Sequence, residues 1–222
     1  MNVLAVAVHP DDETLGCGAT LLKHAAAGAR LHWAILTSAQ APEFGPDRIV
    51  LQQAQVERVT AAYRFESVTW LRRPAARLET GPLGELVAAL AGLLARVRPE
   101  VVFVPHWSDG HSDHRVAFDA CLSALRPVTM SRLGVRRVLA MEVASQTDSG
   151  PPAVRPPFVP DVFVDVSATL ERKLEIFSLY ATEVDAGAGP RSLSSVRALA
   201  RHRGAGFGVE YAEAFALVRE LA

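Results

Sequence analysis

The chain has 222 residues, half of them hydrophobic, and a formal net charge of −1 at pH 7. This balance excludes the strong positive field carried by proteins that bind nucleic acids or anionic membranes. No apolar run approaches the length of a membrane span, and the run at 4–8 is too short for a secretory signal. Two cysteines are too few for a disulfide framework, so we expect a cytoplasmic protein that folds as one domain over residues 1–222.

Apolar runs that predict strands alternate along the chain with segments of helical spacing. The strands are predicted at residues 3–8, 30–36, 67–71, 101–104, 136–143 and 161–166. The helices are predicted at residues 20–27, 49–63, 83–97, 116–125, 167–180 and 192–203. Because this alternation indicates right-handed crossovers, we predict a Rossmann-like three-layer α/β fold with a mostly parallel sheet. The dinucleotide fingerprint is incomplete, since Leu21 occupies the position of its third glycine.

The stretch His9-Pro10-Asp11-Asp12-Glu13 directly follows the first predicted strand. In α/β proteins the carboxyl ends of the strands are where ligands bind. Three neighbouring acids repel one another, and a divalent metal ion relieves that repulsion. His9 and Asp12 are therefore candidate metal ligands, with Asp11 beside the ion. A capped helix that begins at Asp11 or Asp12 is an alternative explanation of the same residues.

A second polar cluster follows the predicted strand at 101–104. Its histidines and aspartates are His106, Asp109, His111, Asp113 and His114. If a helix begins near Ser112, His111 and His114 lie on roughly one face of it, because they are three residues apart. Ordinary packing readily explains one cluster of histidines and aspartates. Two such clusters, each at the carboxyl end of a predicted strand, favour a metal site where those strand ends meet.

Three stretches together resemble the PIG-L/LmbE family of zinc-dependent N-deacetylases. They are the HPDDE motif, the box His111-Ser112-Asp113-His114, and the ending Gly208-Val209-Glu210-Tyr211-Ala212-Glu213-Ala214-Phe215. The resemblance implies a hydrolase that removes the N-acetyl group from a small acetamido sugar of the N-acetylglucosaminyl type. It also implies a homo-oligomer.

The resemblance assigns a role to five residues of the two clusters. It implies that zinc is held by His9, Asp12 and His114, and that Asp11 is the general base. It implies that His111 stabilises the oxyanion or acts as a general acid. The chemistry agrees, because three protein ligands leave a position for water on zinc, and zinc lowers the pKa of that water. Another divalent ion, such as Fe²⁺, is an alternative metal.

Three further residues are secondary candidates for the site. Asp113 either orients a histidine or is the N-terminal acid of the following helix. Asp109 either accepts a hydrogen bond from a histidine or hydroxyl group, or shapes its loop. His202 lies near the family-like ending and is a candidate by position. We expect the pocket wall to include the loop at 43–48 and the proline-rich loop at 145–160.

One stretch departs from the family pattern. Many members carry an Arg-x-x-Glu pair in the helix after the second strand, and this chain has Gln52-Gln53-Ala54-Gln55 there. The change indicates a loss of charge in a region that borders the sugar. The alternatives are an amidase acting on another small-molecule amide or thiol conjugate, and a non-catalytic metal-binding relative. An iron oxygenase using His111, Asp113 and His202 is disfavoured, because such sites lie mostly in β-rich barrels.

Overall fold

The computed structural model describes residues 1–149 and 153–222, and it confirms the predicted three-layer α/β fold. The strands are β1 (Asn2–Ala7), β2 (Arg30–Ser38), β3 (Ser67–Pro74), β4 (Val101–Val104), β5 (Arg137–Met141), β6 (Val162–Asp165) and β7 (Ala212–Glu220). The helices are α1 (Asp12–Ala26), α2 (Pro46–Tyr63), α3 (Leu83–Val97), α4 (Ser112–Ala124), α5 (Pro127–Leu133), α6 (Leu170–Phe177) and α7 (Leu193–Ala205), with a 3₁₀ helix at Leu78–Thr80.

The seven strands form one sheet in the order β3-β2-β1-β4-β5-β7-β6. The five strands from β3 to β5 are parallel, and β7 is antiparallel to both β5 and β6. Side chains of β1 alternate between the two faces of the sheet. Val3 and Ala5 pack with helices α1, α2, α6 and α7, and Leu4 and Val6 pack with α3, α4 and α5. The sheet is therefore the middle layer between two apolar cores.

Several element boundaries differ from the sequence prediction. Helix α1 begins at Asp12 rather than at residue 20, and β3 continues through Pro74 rather than ending at residue 71. Pro74 is tolerated because β3 is an edge strand that pairs only with β2. Strand β7 at 212–220 and helix α5 at 127–133 form where the sequence analysis predicts neither.

A buried ion pair anchors α1 to the rest of the fold. Lys173 Nζ lies 2.7 Å from Glu213 Oε1 and donates to the carbonyl oxygen of Leu15 at 2.7 Å. The Glu213 carboxylate accepts the backbone N–H groups of Ala19 and Thr20. A regular α-helix joins the N–H of residue 19 to the C=O of residue 15, so the pair engages both groups of one helical hydrogen bond. Charged side chains from α6 and β7 thus fix the helix that carries Asp12.

Among the described residues, no helix combines the length and the hydropathy that a membrane span requires.

Candidate metal centre

Strands β1 and β4 are parallel neighbours, so the loops that follow them meet at one edge of the sheet. This geometry brings His9, Asp12 and His114 together, as the sequence analysis expected. His114 Nε2 lies 3.4 Å from Asp12 Oδ2 and 3.4 Å from His9 Nδ1, and the remaining separation, His9 Nδ1 to Asp12 Oδ2, is 3.9 Å. Two ligand atoms at tetrahedral positions, each about 2.1 Å from a zinc ion, are about 3.4 Å apart. The three side chains therefore fit one zinc ion.

Each histidine of this trio is oriented by a carboxylate. Asp113 Oδ2 lies 3.2 Å from His9 Nε2, and Asp109 Oδ2 lies 2.8 Å from His114 Nδ1. These contacts leave Nδ1 of His9 and Nε2 of His114 facing the centre. A carboxylate behind a metal-binding imidazole fixes its tautomer and raises its basicity. Asp109 also accepts the backbone N–H of His106 at 3.3 Å, so it shapes its loop as well.

The electrostatics of the centre favour positive charge. Burial acts to lower the pKa of His114, but the carboxylates of Asp12 and Asp109 outweigh it and raise that pKa. Burial acts to raise the pKa of Asp113, but hydrogen bonds from His9 and from two backbone amides after β3 hold that pKa below its usual value. The trio and its supporting acids therefore attract a cation, and the donor set of two imidazoles and one carboxylate suits zinc.

A second set of groups, His9, His111 and Asp113, also lies within ligand distance. Asp113 Oδ2 already accepts the backbone N–H of Ala76 at 2.7 Å and contacts His9 Nε2. A neutral imidazole has one lone pair, so His9 cannot donate both nitrogens to metal ions without losing its remaining proton. The trio of His9, Asp12 and His114 is therefore the better candidate for a metal site.

Asp11 lies beside the trio, buried, at the N-cap position of α1. Its side chain makes no capping hydrogen bond, so helix capping does not explain this residue. Its backbone φ is 139°, which is rare for any residue other than glycine. Burial and the neighbouring carboxylates of Asp12 and Glu183 raise the pKa of Asp11 well above its usual value, against the opposing effect of Arg191. A carboxylate with a raised pKa is a stronger proton acceptor.

Glu13 is fully buried beneath this loop. Its Oε1 accepts the hydroxyl groups of Thr14 and Tyr180, and its Oε2 accepts the backbone N–H of Asp11. Burial raises the pKa of Glu13 to about 7, although the two hydroxyl groups oppose that shift. Glu13 therefore holds the HPDDE loop through its hydrogen bond with the backbone N–H group of Asp11.

The ring of His111 lines the cavity beside the centre. His111 Nδ1 accepts the backbone N–H of Asp113 at 3.1 Å, which caps α4. An accepting Nδ1 carries no proton, so the neutral ring must be protonated at Nε2, a tautomer assigned from the hydrogen bond. Burial and the neighbouring His9 lower the pKa of His111, which favours this neutral form. His111 thus presents an N–H donor.

A cavity of about 180 Å³ opens at the centre. Phe44 and Arg48, from the predicted wall segment at 43–48, line it. Ser145 and Gln146, at the start of the proline-rich loop, line it as well. Residues 150–152 of that loop lie outside the described residues. The cavity is smaller than the roughly 300–1,000 Å³ of sites for drug-sized ligands, so it suits a small substrate group.

Two arginines contribute charge to the cavity. Arg48 lies in the predicted wall segment, whereas the sequence analysis singles out neither Arg191 nor Glu183. Glu183 forms ion pairs with Arg48 and, at 3.1 Å, with Arg191, and all three side chains line the cavity. Arg191 also lies 3.9 Å from Asp11 Oδ2. Gln52 lines the same cavity one helical turn after Arg48. The expected loss of charge near the Gln52–Gln55 stretch is therefore offset by residues from elsewhere in the chain. No sequence motif marks these residues.

The structure does not bring His202 to this site. His202 is exposed on α7, and the cavity lining does not include it. Its neighbour Arg203 forms an ion pair with Glu142.

Comparison with known proteins identifies the family. The profile of the GlcNAc-PI de-N-acetylase family, PIG-L, matches residues 4–125, which is more than half of the 222 residues. The chain belongs to the PIG-L family. This confirms the resemblance carried by the HPDDE and His111–His114 motifs, both of which lie inside the matched range.

A curated PIG-L relative is the 1D-myo-inositol 2-acetamido-2-deoxy-alpha-D-glucopyranoside deacetylase of Mycolicibacterium vanbaalenii. It is 32% identical over 142 residues, which cover 51% of this chain and 50% of the relative. The chain thus spans about half the length of the curated relatives it matches first. Relatives in Rhodococcus erythropolis and Kineococcus radiotolerans are deacetylases of the same name.

Solved structures share the fold over nearly the whole chain. The conserved protein TT1542 of Thermus thermophilus has a TM-score of 0.77 and 27% identity, with coverage of 99% of this chain and 96% of that one. GalB, the 4-carboxy-2-hydroxymuconate hydratase of Pseudomonas putida KT2440, has a TM-score of 0.78 and 18% identity, with coverage of 100% and 97%. The fold alone therefore does not decide the reaction.

His114→Ala is expected to abolish stoichiometric zinc binding, because it removes one of the three ligands. Asp109→Asn is expected to weaken zinc binding by about 10- to 100-fold, since it removes the carboxylate behind His114. Calorimetric titration of metal-free protein with zinc measures both. Asp119→Asn, an exposed change on the same helix, is the matched control and should bind like wild type. Unaltered zinc affinity in His114→Ala would contradict the assigned trio.

Proposed function

We propose that this protein is a zinc-dependent hydrolase that removes the N-acetyl group from an acetamido sugar. The observation that carries the proposal is the trio of His9, Asp12 and His114 at tetrahedral ligand spacing, with the buried carboxylate of Asp11 directly beside it. A binding site alone has little use for a proton acceptor in that position. Family membership supports the same reaction class.

A zinc ion at these three side chains supplies Lewis acidity, which acidifies water and polarises an amide carbonyl. Asp11 takes the proton of the attacking water and returns it to the leaving amine nitrogen. His111 donates its Nε2–H to the oxygen of the former carbonyl, where negative charge develops. Asp113 and Asp109 hold the two histidine ligands in their tautomers.

The acetamido sugar is proposed from the relatives, which are deacetylases of such sugars. The cavity supports it, because Arg48, Gln52 and Arg191 line it with hydrogen-bond donors suited to sugar oxygens. The identity of the sugar's substituent, a cytoplasmic location and a homo-oligomeric state stay predictions.

The test is release of free amine from a panel of N-acetylglucosaminides by zinc-reconstituted protein. We expect release that a chelator abolishes and that added zinc restores. A parallel panel of non-sugar acetamides and thiol-conjugate amides covers the alternative amidase. Turnover of the second panel alone would overturn the sugar assignment, and turnover of neither, with one zinc bound, would overturn the enzymatic proposal in favour of a non-catalytic relative.

A further inference from the structure

We propose that Glu13, held by the hydroxyl group of Tyr180, is a positioning residue that fixes Asp11 in the conformation that directs its carboxylate into the cavity. This inference rests on the proposed role of Asp11 as the base. It assigns a function to a buried acid that neither binds the metal nor lines the cavity.

The backbone of Asp11 is held in a conformation that it would not adopt by itself. Its φ of 139° and ψ of −27° lie where L-amino acids are rarely found. Such strain persists only where the surrounding structure enforces it, and it concentrates at functional sites. The N–H group of Asp11 donates to Glu13 Oε2 at 3.3 Å, and its carbonyl oxygen accepts the N–H group of Leu15 at 2.8 Å. Both flanking peptide groups of Asp11 are therefore fixed.

Glu13 is itself fixed from two directions. Its Oε1 accepts the hydroxyl group of Thr14 at 2.5 Å and that of Tyr180 at 2.8 Å. Tyr180 is fully buried and lies 167 residues away in the sequence, directly after α6. Burying a carboxylate is unfavourable, and packing alone would be served by an apolar residue of similar size. The three hydrogen bonds indicate that the carboxylate is there to accept the N–H group of Asp11.

The positions of the metal ligands do not depend on the hydrogen bond between Asp11 and Glu13. Asp12 is held by the backbone N–H groups of Val8 and His9, and His9 is oriented by Asp113. Removing the support of Glu13 should therefore let the Asp11 backbone relax while zinc still binds. A displaced base lowers kcat without changing KM, whereas a purely structural role would change stability and leave kcat intact.

A pair of tyrosines provides the matched test. Tyr180→Phe removes a hydroxyl bonded to Glu13, whereas Tyr63→Phe removes another buried hydroxyl, which makes no hydrogen bond to Glu13. We expect about a tenfold lower kcat for Tyr180→Phe at unchanged KM and zinc stoichiometry, and wild-type kinetics for Tyr63→Phe. Equal kinetics for the two variants would overturn the proposal.

Two changes at Glu13 itself extend the test. Glu13→Leu is expected to lower kcat about a hundredfold, because small displacements of a reacting group have effects of that size. Glu13→Gln should stay within a few-fold of wild type, since its amide oxygen still accepts the N–H group of Asp11. A glutamine variant as slow as the leucine variant would count against positioning by this hydrogen bond.

Crystal structures separate this inference from the proposed function. In Glu13→Leu, or in Tyr180→Phe if the former does not fold, Asp11 is expected to leave its positive φ and withdraw its carboxylate from the cavity. This readout needs no substrate, so it holds even if the wild type deacetylates no sugar. An unchanged Asp11 in the variant crystal would overturn the inference whatever the activity.

Discussion

Asp11→Asn is expected to lower kcat for deacetylation by about 10²- to 10⁴-fold, the usual contribution of a positioned general base. The amide of asparagine cannot accept the proton of water, yet it matches the carboxylate in size. Asparagine also tolerates a positive φ better than most residues, so the loop should keep its shape. Zinc binding should equal that of the wild type, since Asp11 is outside the ligand trio. Steady-state kinetics and metal analysis of the same preparation measure both quantities.

The control for this change is Asp119→Asn, which removes an exposed carboxylate on α4 and should leave kcat unchanged. Wild-type turnover in Asp11→Asn would remove the proposed base and shift the role to another group. Loss of zinc together with turnover would instead make Asp11 part of the metal site. The two measurements therefore distinguish base from ligand.

The grouping of the candidate metal ligands was largely predictable, because each residue lies in a short motif directly after a predicted strand. His9 and Asp12 follow one apolar strand, His114 follows another, and the carboxyl ends of parallel strands share one edge of a sheet. The sequence also offered Asp113 as a residue that orients a histidine, and the structure places it on His9. For Asp109 the sequence leaves open a hydrogen bond to a histidine and a loop role, and the structure shows both contacts.

The cavity wall was not predictable in the same way. Arg48 meets Glu183 across 135 positions of sequence, and their ion pair depends on how α2 and the segment after α6 pack. No local spacing records such a contact. The candidate His202 lies outside the cavity lining, since nearness to a family-like stretch does not determine which way a helical residue faces.

Helix α1 shows how packing overrides local preference. The sequence predicts this helix over residues 20–27, whereas the structure extends it back through Gly16 and Gly18, although glycine disfavours a helix. Close contacts require glycine at both positions. A Cβ on Gly16 would lie 2.8 Å from Met141 Cβ, and one on Gly18 would overlap the Tyr63 hydroxyl. The helix therefore begins at Asp12, pressed against the neighbouring side chains.

Lys173→Met is expected to lower the free energy of unfolding by about 3–5 kcal/mol, because it leaves the Glu213 carboxylate buried without its cation. Zinc binding should weaken as well, because α1 carries Asp12. The ion pair fixes the backbone of this helix at Leu15, Ala19 and Thr20. Urea unfolding of the chelator-treated protein measures the stability without the contribution of bound metal. A zinc titration of the same variant measures the effect on the site.

The adjacent residue supplies the control. Arg172 pairs with Glu175 on the exposed side of the same helix, so Arg172→Met should change the free energy of unfolding by less than about 1 kcal/mol. Removing both partners in Lys173→Met/Glu213→Leu should be less destabilising than the sum of the two single changes, because no unpaired charge then remains buried. A Lys173→Met variant as stable as Arg172→Met would show that the pair does not anchor α1. The position of Asp12 would then depend on the apolar contacts of the helix and on the hydrogen bonds from the backbone of Val8 and His9.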